Sequence, residues 1–131
     1  MITMLYAGLC TILVVFLAVR VAQWRHRHKI GLGDGGDREL LKRVRAHANA
    51  VENMPLALLL LGGMELNGYN SGLVHGFGAV LVASRMAHAW GLSHTSGTSR
   101  GRLMGSLFTW LLMAAMAVFA IAGYFRQFLV A

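Results

Sequence analysis

The sequence predicts an all-α integral membrane protein, a four-helix bundle forming a single domain over residues 1–131. Three observations lead there. Only 13% of the chain is charged while 56% is hydrophobic, against the roughly 25% charged fraction usual in soluble domains. The apolar residues are segregated into four runs, at about Ile2 to Ala22, Asn49 to Leu66, Leu73 to Leu92 and Leu103 to Phe125, each near the roughly 20 residues a helix needs to cross a hydrocarbon core. Lipid offers no partners to backbone N–H and C=O groups, so runs of this length must be helices rather than irregular or open-sheet chain.

The first run is apolar from Ile2 to Val19 without a basic leader or a small-residue cleavage site. It exceeds the roughly 7 to 15 residues of a signal-peptide core and is read as a retained span. The connection after it contains Gly31, Gly33, Gly35 and Gly36, which mark a turn. From Asp37 to His47 the chain is polar but has no helix breaker. Helix 2 is therefore expected to start outside the membrane, capped by Asp34 or Asp37, and to run inward. Pro55 inside that span removes one backbone donor and predicts a kink. Gly97 and Gly101 separate spans 3 and 4, and with Gly105 form a GxxxGxxxG run that permits close helix approach.

The formal charge of +7 does not indicate nucleic acid, because the cations sit between apolar runs instead of on a soluble face. Eight of the 12 Lys and Arg residues fall between Arg20 and Arg45, Arg100 and Arg102 lie in the third connection, and the second connection has none. The positive-inside rule then makes the first and third connections cytoplasmic, in what would be a bacterial inner membrane, with both termini on the other side. A single cysteine, Cys10, provides neither a disulfide framework nor a zinc-ligand set. His47 and His88 have no second ligand at suitable spacing, so no metal is expected. His26 and His28, among Arg25, Arg27 and Lys29, read as a basic collar facing membrane lipids.

The informative residues are polar ones within apolar segments, since a charge at mid-bilayer costs at least about 2.5–3.5 kcal/mol and persists only when paired or functional. Arg45, Asn49 and Glu52 are spaced i, i+4, i+7 and share one face of helix 2, which Arg38 and Lys42 continue outward. Arg85 and His88 share a face of helix 3, and Arg100 and Arg102 open helix 4. The three groups are expected to meet at the cytoplasmic end of the bundle. Two readings compete for them. Glu52 pairs with Arg45 or Arg85 and Asn49 bonds across helices as structural glue, or the surplus cations receive an anionic ligand while Glu52 accepts from its ammonium group.

The run Arg45-Ala46-His47-Ala48-Asn49-Ala50-Val51-Glu52-Asn53-Met54-Pro55 closely resembles the membrane-associated proteins in eicosanoid and glutathione metabolism, the MAPEG family, in its short bacterial form. Arg25-His26-Arg27, the R-x-x-H of Arg85 and His88, and Arg102 fall where that family has them. The resemblance implies a homotrimer of four-helix protomers that binds glutathione, as co-substrate, between neighbouring subunits near the cytoplasmic face. Carried over by position, it implies that Arg45, Asn49 and Glu52 hold the glutathione backbone and ammonium. It gives Arg25, Arg85 and His88 to the lining around the carboxylates, and Arg102 to the catalytic role of stabilising the thiolate. A thiol near pKa 8.5 is mostly protonated at neutral pH, so a guanidinium nearby favours the nucleophilic form.

The sequence departs from the eicosanoid-forming branches. Ala89-Trp90-Gly91-Leu92 stands where they carry tyrosines, Leu103 follows Arg102 where one branch has serine, and Ala48 replaces a second helix-2 arginine. The expectation is therefore a glutathione transferase, or a glutathione-dependent peroxidase, acting on lipophilic small molecules that enter from the bilayer. The alternative is a non-catalytic membrane binding or assembly protein that uses the same basic pocket for a lipid or a partner. A small cation transporter is disfavoured because helix 1 has no acidic residue.

Overall fold

The computed structural model describes the backbone of residues 1–94 and 100–130, and the side chains of 1–91 and 103–126. It contains four helices: α1 (Ile2–His28), α2 (Arg38–Leu66), α3 (Ser71–His94) and α4 (Arg100–Val130). Each reaches beyond the apolar run that predicted it, because the helices continue into polar sequence on the far side of the membrane boundary. The extension is largest in α2, which begins at Arg38 and passes unbroken through Pro55.

The first connection is built from residues that tolerate a left-handed backbone. Lys29 ends α1 at φ 55, its N–H donating to the Arg25 and His26 carbonyls, and Gly33, Gly35 and Gly36 all have positive φ. Asp34 forms the turn, accepting from Gly36 N–H at 3.0 Å. Asp37, in extended conformation, is the residue that caps α2, accepting from the N–H groups of Glu39 and Leu40 at 2.8 and 3.1 Å. Its other oxygen accepts from Trp24 Nε1 at 2.8 Å, which ties the start of α2 to the end of α1.

At the opposite end, Glu65 of α2 accepts from the N–H groups of Ile2 and Thr3 and so supplies the acidic cap that α1 lacks in its own first turn. Tyr6 Oη donates to the His75 carbonyl at 3.0 Å, and Tyr69 Oη to the Phe119 carbonyl at 2.7 Å. These contacts place the helices alternately up and down. α2 and α3 each pack against every other helix, while α1 and α4 flank them without touching among the described residues. Leu61, Met64, Val74, Leu81 and Met116 are fully buried along the centre.

Two close approaches depend on glycine. A Cβ at Gly78 would stand 2.2 Å from the Tyr6 ring, and one at Gly105 would stand 2.7 Å from His88 Cβ and 2.8 Å from the Ser84 carbonyl oxygen. The outer faces are apolar: Leu5, Ile12 and Phe16 on α1, and Phe108, Trp110 and Ile121 on α4, are all more than 45% exposed. A soluble monomer does not leave such stripes in water. Among the described residues, two helices are long and apolar enough to cross a membrane by themselves, α1 at mean hydropathy 2.5 and the Leu103–Arg126 part of α4 at 2.0.

Candidate functional site

The centre of the site is Arg85, one of the few charged side chains buried within the bundle at 3% exposure. It reaches two of α3's neighbours at once. Nη1 donates to Asn49 Oδ1 of α2 at 2.6 Å, and Nη2 donates to the Gly105 carbonyl of α4 at 2.7 Å. The planar guanidinium suits this fork, since its donors leave in fixed directions. Gly105 can present its carbonyl because, with no side chain, it lets α4 lie directly on Ser84 and His88. Its oxygen also accepts from Thr109 Oγ1 at 2.9 Å, and Ser84 Oγ lies 3.0 Å from that hydroxyl.

His88, buried one turn beyond Arg85, has Nδ1 2.9 Å from Ser106 Oγ. The R-x-x-H pair of α3 thus meets a Gly105-Ser106 pair of α4. Arg85 Nε remains buried without a hydrogen-bond partner among the described residues. An anion arriving beside it would supply the missing acceptor.

Arg45 and Glu52 are arranged differently from the glue reading. Both are exposed on α2, on the same face as Asn49, and neither forms an ion pair among the described residues. Glu52 therefore meets neither Arg45 nor Arg85, and it is Asn49 that satisfies Arg85. The result is a face open to the outside of the protomer, with a cation and an anion flanking an amide already fixed from behind. Asn49 uses its carbonyl on Arg85, which leaves its NH2 donors available.

Arg25 does not join this group within the protomer. It lines a separate open cleft at the end of α1 with His26, Lys29 and Gly31, and its Nη1 is buried without a hydrogen-bond partner among the described residues. The side chain of Arg102 lies outside the described residues. Sequence reasoning missed Ser84, Ser106 and Thr109, the hydroxyls that line the α3–α4 seam. The signal for Ser106 was its position one residue after the last glycine of the GxxxGxxxG run.

Comparison with known proteins settles what kind of chain this is. The model of the MAPEG family matches residues 3–122. This chain belongs to the MAPEG family. Its relatives include the inner membrane protein YecN of Escherichia coli K12 and of Escherichia coli O6:H1, each 36% identical over 118 residues, with 90% of this chain and 88% of the relative covered. The family match takes in the Arg45–Pro55 run, Arg85, His88 and the Gly105-Ser106 pair. Membership makes this MAPEG protein a membrane protein of the glutathione and eicosanoid metabolism family, and its exposed apolar helix faces agree.

Proposed function

We propose that this MAPEG protein is a membrane-embedded glutathione-binding protein, a glutathione transferase or glutathione-dependent peroxidase for lipophilic electrophiles, working as a homotrimer in a bacterial inner membrane. The observation that carries the reading is the open face of α2, where exposed Arg45 and Glu52 stand either side of Asn49 without an ion pair among the described residues. Glutathione is a peptide with two carboxylates, one ammonium and amide groups. Arg45 complements a carboxylate, Glu52 the ammonium, and the Asn49 NH2 an amide or carboxylate oxygen. Because that face points out of the protomer, a neighbouring subunit would complete the site, and its Arg25 could add a further cation.

In this reading Arg102 lowers the thiol's pKa, so that the thiolate attacks an electrophile delivered laterally from the bilayer. In conjugation, the thiol sulfur forms the new bond to carbon and the thiol proton passes to solvent or to the displaced group. In peroxide reduction, two glutathione thiols supply the two electrons and become a disulfide, while the hydroperoxide leaves as an alcohol and water. A multi-pass topology with the basic end of the bundle in the cytoplasm would expose the site to cytoplasmic glutathione.

The test is thermal unfolding of detergent-solubilised protein titrated with reduced glutathione, with S-hexyl-glutathione and a sulfur-free dipeptide as controls. The first two are expected to stabilise saturably, and Arg45→Ala and Glu52→Gln to abolish that stabilisation. No shift in folded wild-type protein would overturn the reading. One observation favours the non-catalytic alternative: Arg85 and Asn49 are already hydrogen-bonded to one another across the helices, as structural groups are. Binding without turnover of any electrophile, with Arg102→Ala equal to wild type, would select it.

A further inference from the structure

The seam between α3 and α4 holds a hydroxyl–imidazole pair to which glutathione binding, as proposed above, gives no task. Ser106 Oγ lies 2.9 Å from His88 Nδ1. His88 is buried, while Ser106 is half-buried. The other two hydroxyls of the seam are fully enclosed and spent on helix backbone, Ser84 Oγ donating to the Leu81 carbonyl and Thr109 Oγ1 to the Gly105 carbonyl. Ser106 makes no such backbone bond among the described residues. A serine hydroxyl has one hydrogen to donate and two lone pairs to accept with. Where His88 carries its proton on Nδ1, Ser106 Oγ accepts from it and keeps its own O–H for another partner. Where Nδ1 is bare, Ser106 spends its hydrogen there.

Position decides what that O–H meets. Ser106 follows Gly105, whose carbonyl accepts from Arg85 Nη2, and Nη1 of the same guanidinium donates to Asn49 Oδ1. One arginine head therefore spans the gap between this part of α4 and the open face of α2, which a tripeptide, about 10 Å long when extended, also covers. Ser106 stands one turn after Arg102 on α4, and residues four apart lie on one helix face. With Arg45, Asn49 and Glu52 complementing the carboxylate, amide and ammonium groups of glutathione, the part of the ligand left for α4 is the sulfur.

We propose that Ser106 donates a hydrogen bond to the glutathione thiolate, with His88 as the positioning residue that donates from Nδ1 to Ser106 Oγ. This role rests on the glutathione reading and adds a second stabilising group to Arg102. The hydroxyl is held in place before the thiol proton leaves to solvent, so no reorganisation is needed as charge develops on sulfur. His88 acts through Ser106, because an oxygen that already accepts from an N–H is polarised and donates more strongly.

The experiment follows thiolate absorbance in the ultraviolet as a function of pH, on the full chain in detergent saturated with reduced glutathione. The same protein with S-hexyl-glutathione, which has no thiol, is the blank and carries the absorbance of Cys10 and the tyrosines. Wild type is expected to hold the bound thiol below its ordinary pKa of about 8.5. Ser106→Ala should raise the pKa of the bound thiol by about 1, the tenfold change that one hydrogen bond to a charged group supports. Ser106→Thr should restore the wild-type value, and His88→Phe should give part of the rise. Thermal stabilisation by S-hexyl-glutathione should be the same in Ser106→Ala as in wild type, because the bond is made only to a free sulfur; a merely structural role would move it. Unmutated protein tests the pair as well. In 15N-histidine-labelled wild type with glutathione bound, the His88 Nδ1 resonance, identified by its loss in His88→Phe, should be that of a protonated nitrogen. A bare Nδ1 in that complex would overturn the proposal, since Ser106 would then donate to His88. So would equal thiol pKa values in wild type and Ser106→Ala when both bind glutathione, a result that leaves the glutathione reading standing. Folded wild type that glutathione does not stabilise would overturn both.

Discussion

Arg85 shows how a charge is accommodated inside a membrane bundle. Its two terminal nitrogens donate to a side-chain oxygen on α2 and a backbone oxygen on α4, while Nε stays without a partner among the described residues. Truncation would strip Asn49 Oδ1 of its Arg85 donor, at about 1–3 kcal/mol for a group left unsatisfied, and would leave the Gly105 carbonyl to the Thr109 hydroxyl. Arg85→Ala is therefore expected to lower the thermal unfolding temperature by several degrees with or without glutathione, while Arg85→Lys keeps one of the two bonds and falls between. Glu52 is the opposite case. The sequence suggested that its removal would strand a buried arginine, but Glu52 is exposed and pairs with no arginine among the described residues. Glu52→Ala should leave the unfolding temperature of the ligand-free protein near wild type while abolishing the glutathione-dependent shift, which the same melting experiment reads. The spacing of Arg85 and His88 made them visible in the sequence as a pair. Their partners were not visible, because a backbone carbonyl such as that of Gly105 has no sequence identity and Ser106 is an ordinary residue until α4 is laid on α3.

At the scale of elements, the bundle is held at its two ends by residues that join one helix to another. The Asp37 carboxylate caps α2 and accepts from Trp24, and these hydrogen bonds, the Trp24 bond foremost, hold its pKa below the ordinary value of 3.8. A carboxyl whose folded pKa is lowered binds protons more readily in the unfolded chain, so its stabilisation is complete above about pH 4 and is lost as pH falls through the lower folded value. Acid titration should release the α1–α2 corner in that range, seen as a change in Trp24 fluorescence, and Asp37→Asn should shift or remove the transition. Along the α3–α4 seam the deciding residue is Gly105. A methyl group there meets His88 Cβ and the Ser84 carbonyl at under 3 Å, so Gly105→Ala must push α4 away from α3 and break the Arg85 and Ser106 contacts. It is expected to cost about 1–3 kcal/mol. Gly76→Ala, where nothing lies within 4 Å of the added carbon, should be neutral or slightly stabilising in the same melts.

For the whole molecule, an α2 face that is polar and without an ion pair at Arg45 or Glu52 among the described residues, and α1 and α4 faces that are apolar and exposed, point to different surroundings. The apolar stripes match lipid, while Arg45 and Glu52 require water, a ligand or another subunit. Native mass spectrometry from mild detergent is expected to show a homotrimer, with Arg45→Ala retaining the trimer but losing bound glutathione. A monomer that still binds glutathione would remove the shared site. The sequence by itself determined the helix count, the membrane setting, the start of α2 ahead of its apolar run and the family, because each rests on local pattern: run length, charge segregation, a capping aspartate and one eleven-residue motif. Which polar residues meet was decided only by the tertiary structure. Helical periodicity says that Arg45, Asn49 and Glu52 share a face, but not that Asn49 alone turns inward enough to reach Arg85. That depends on the rotation of each helix about its axis, which is set by packing between residues far apart in the chain, as where Gly78 lets α3 approach Tyr6 of α1 and Gly105 lets α4 approach His88 of α3.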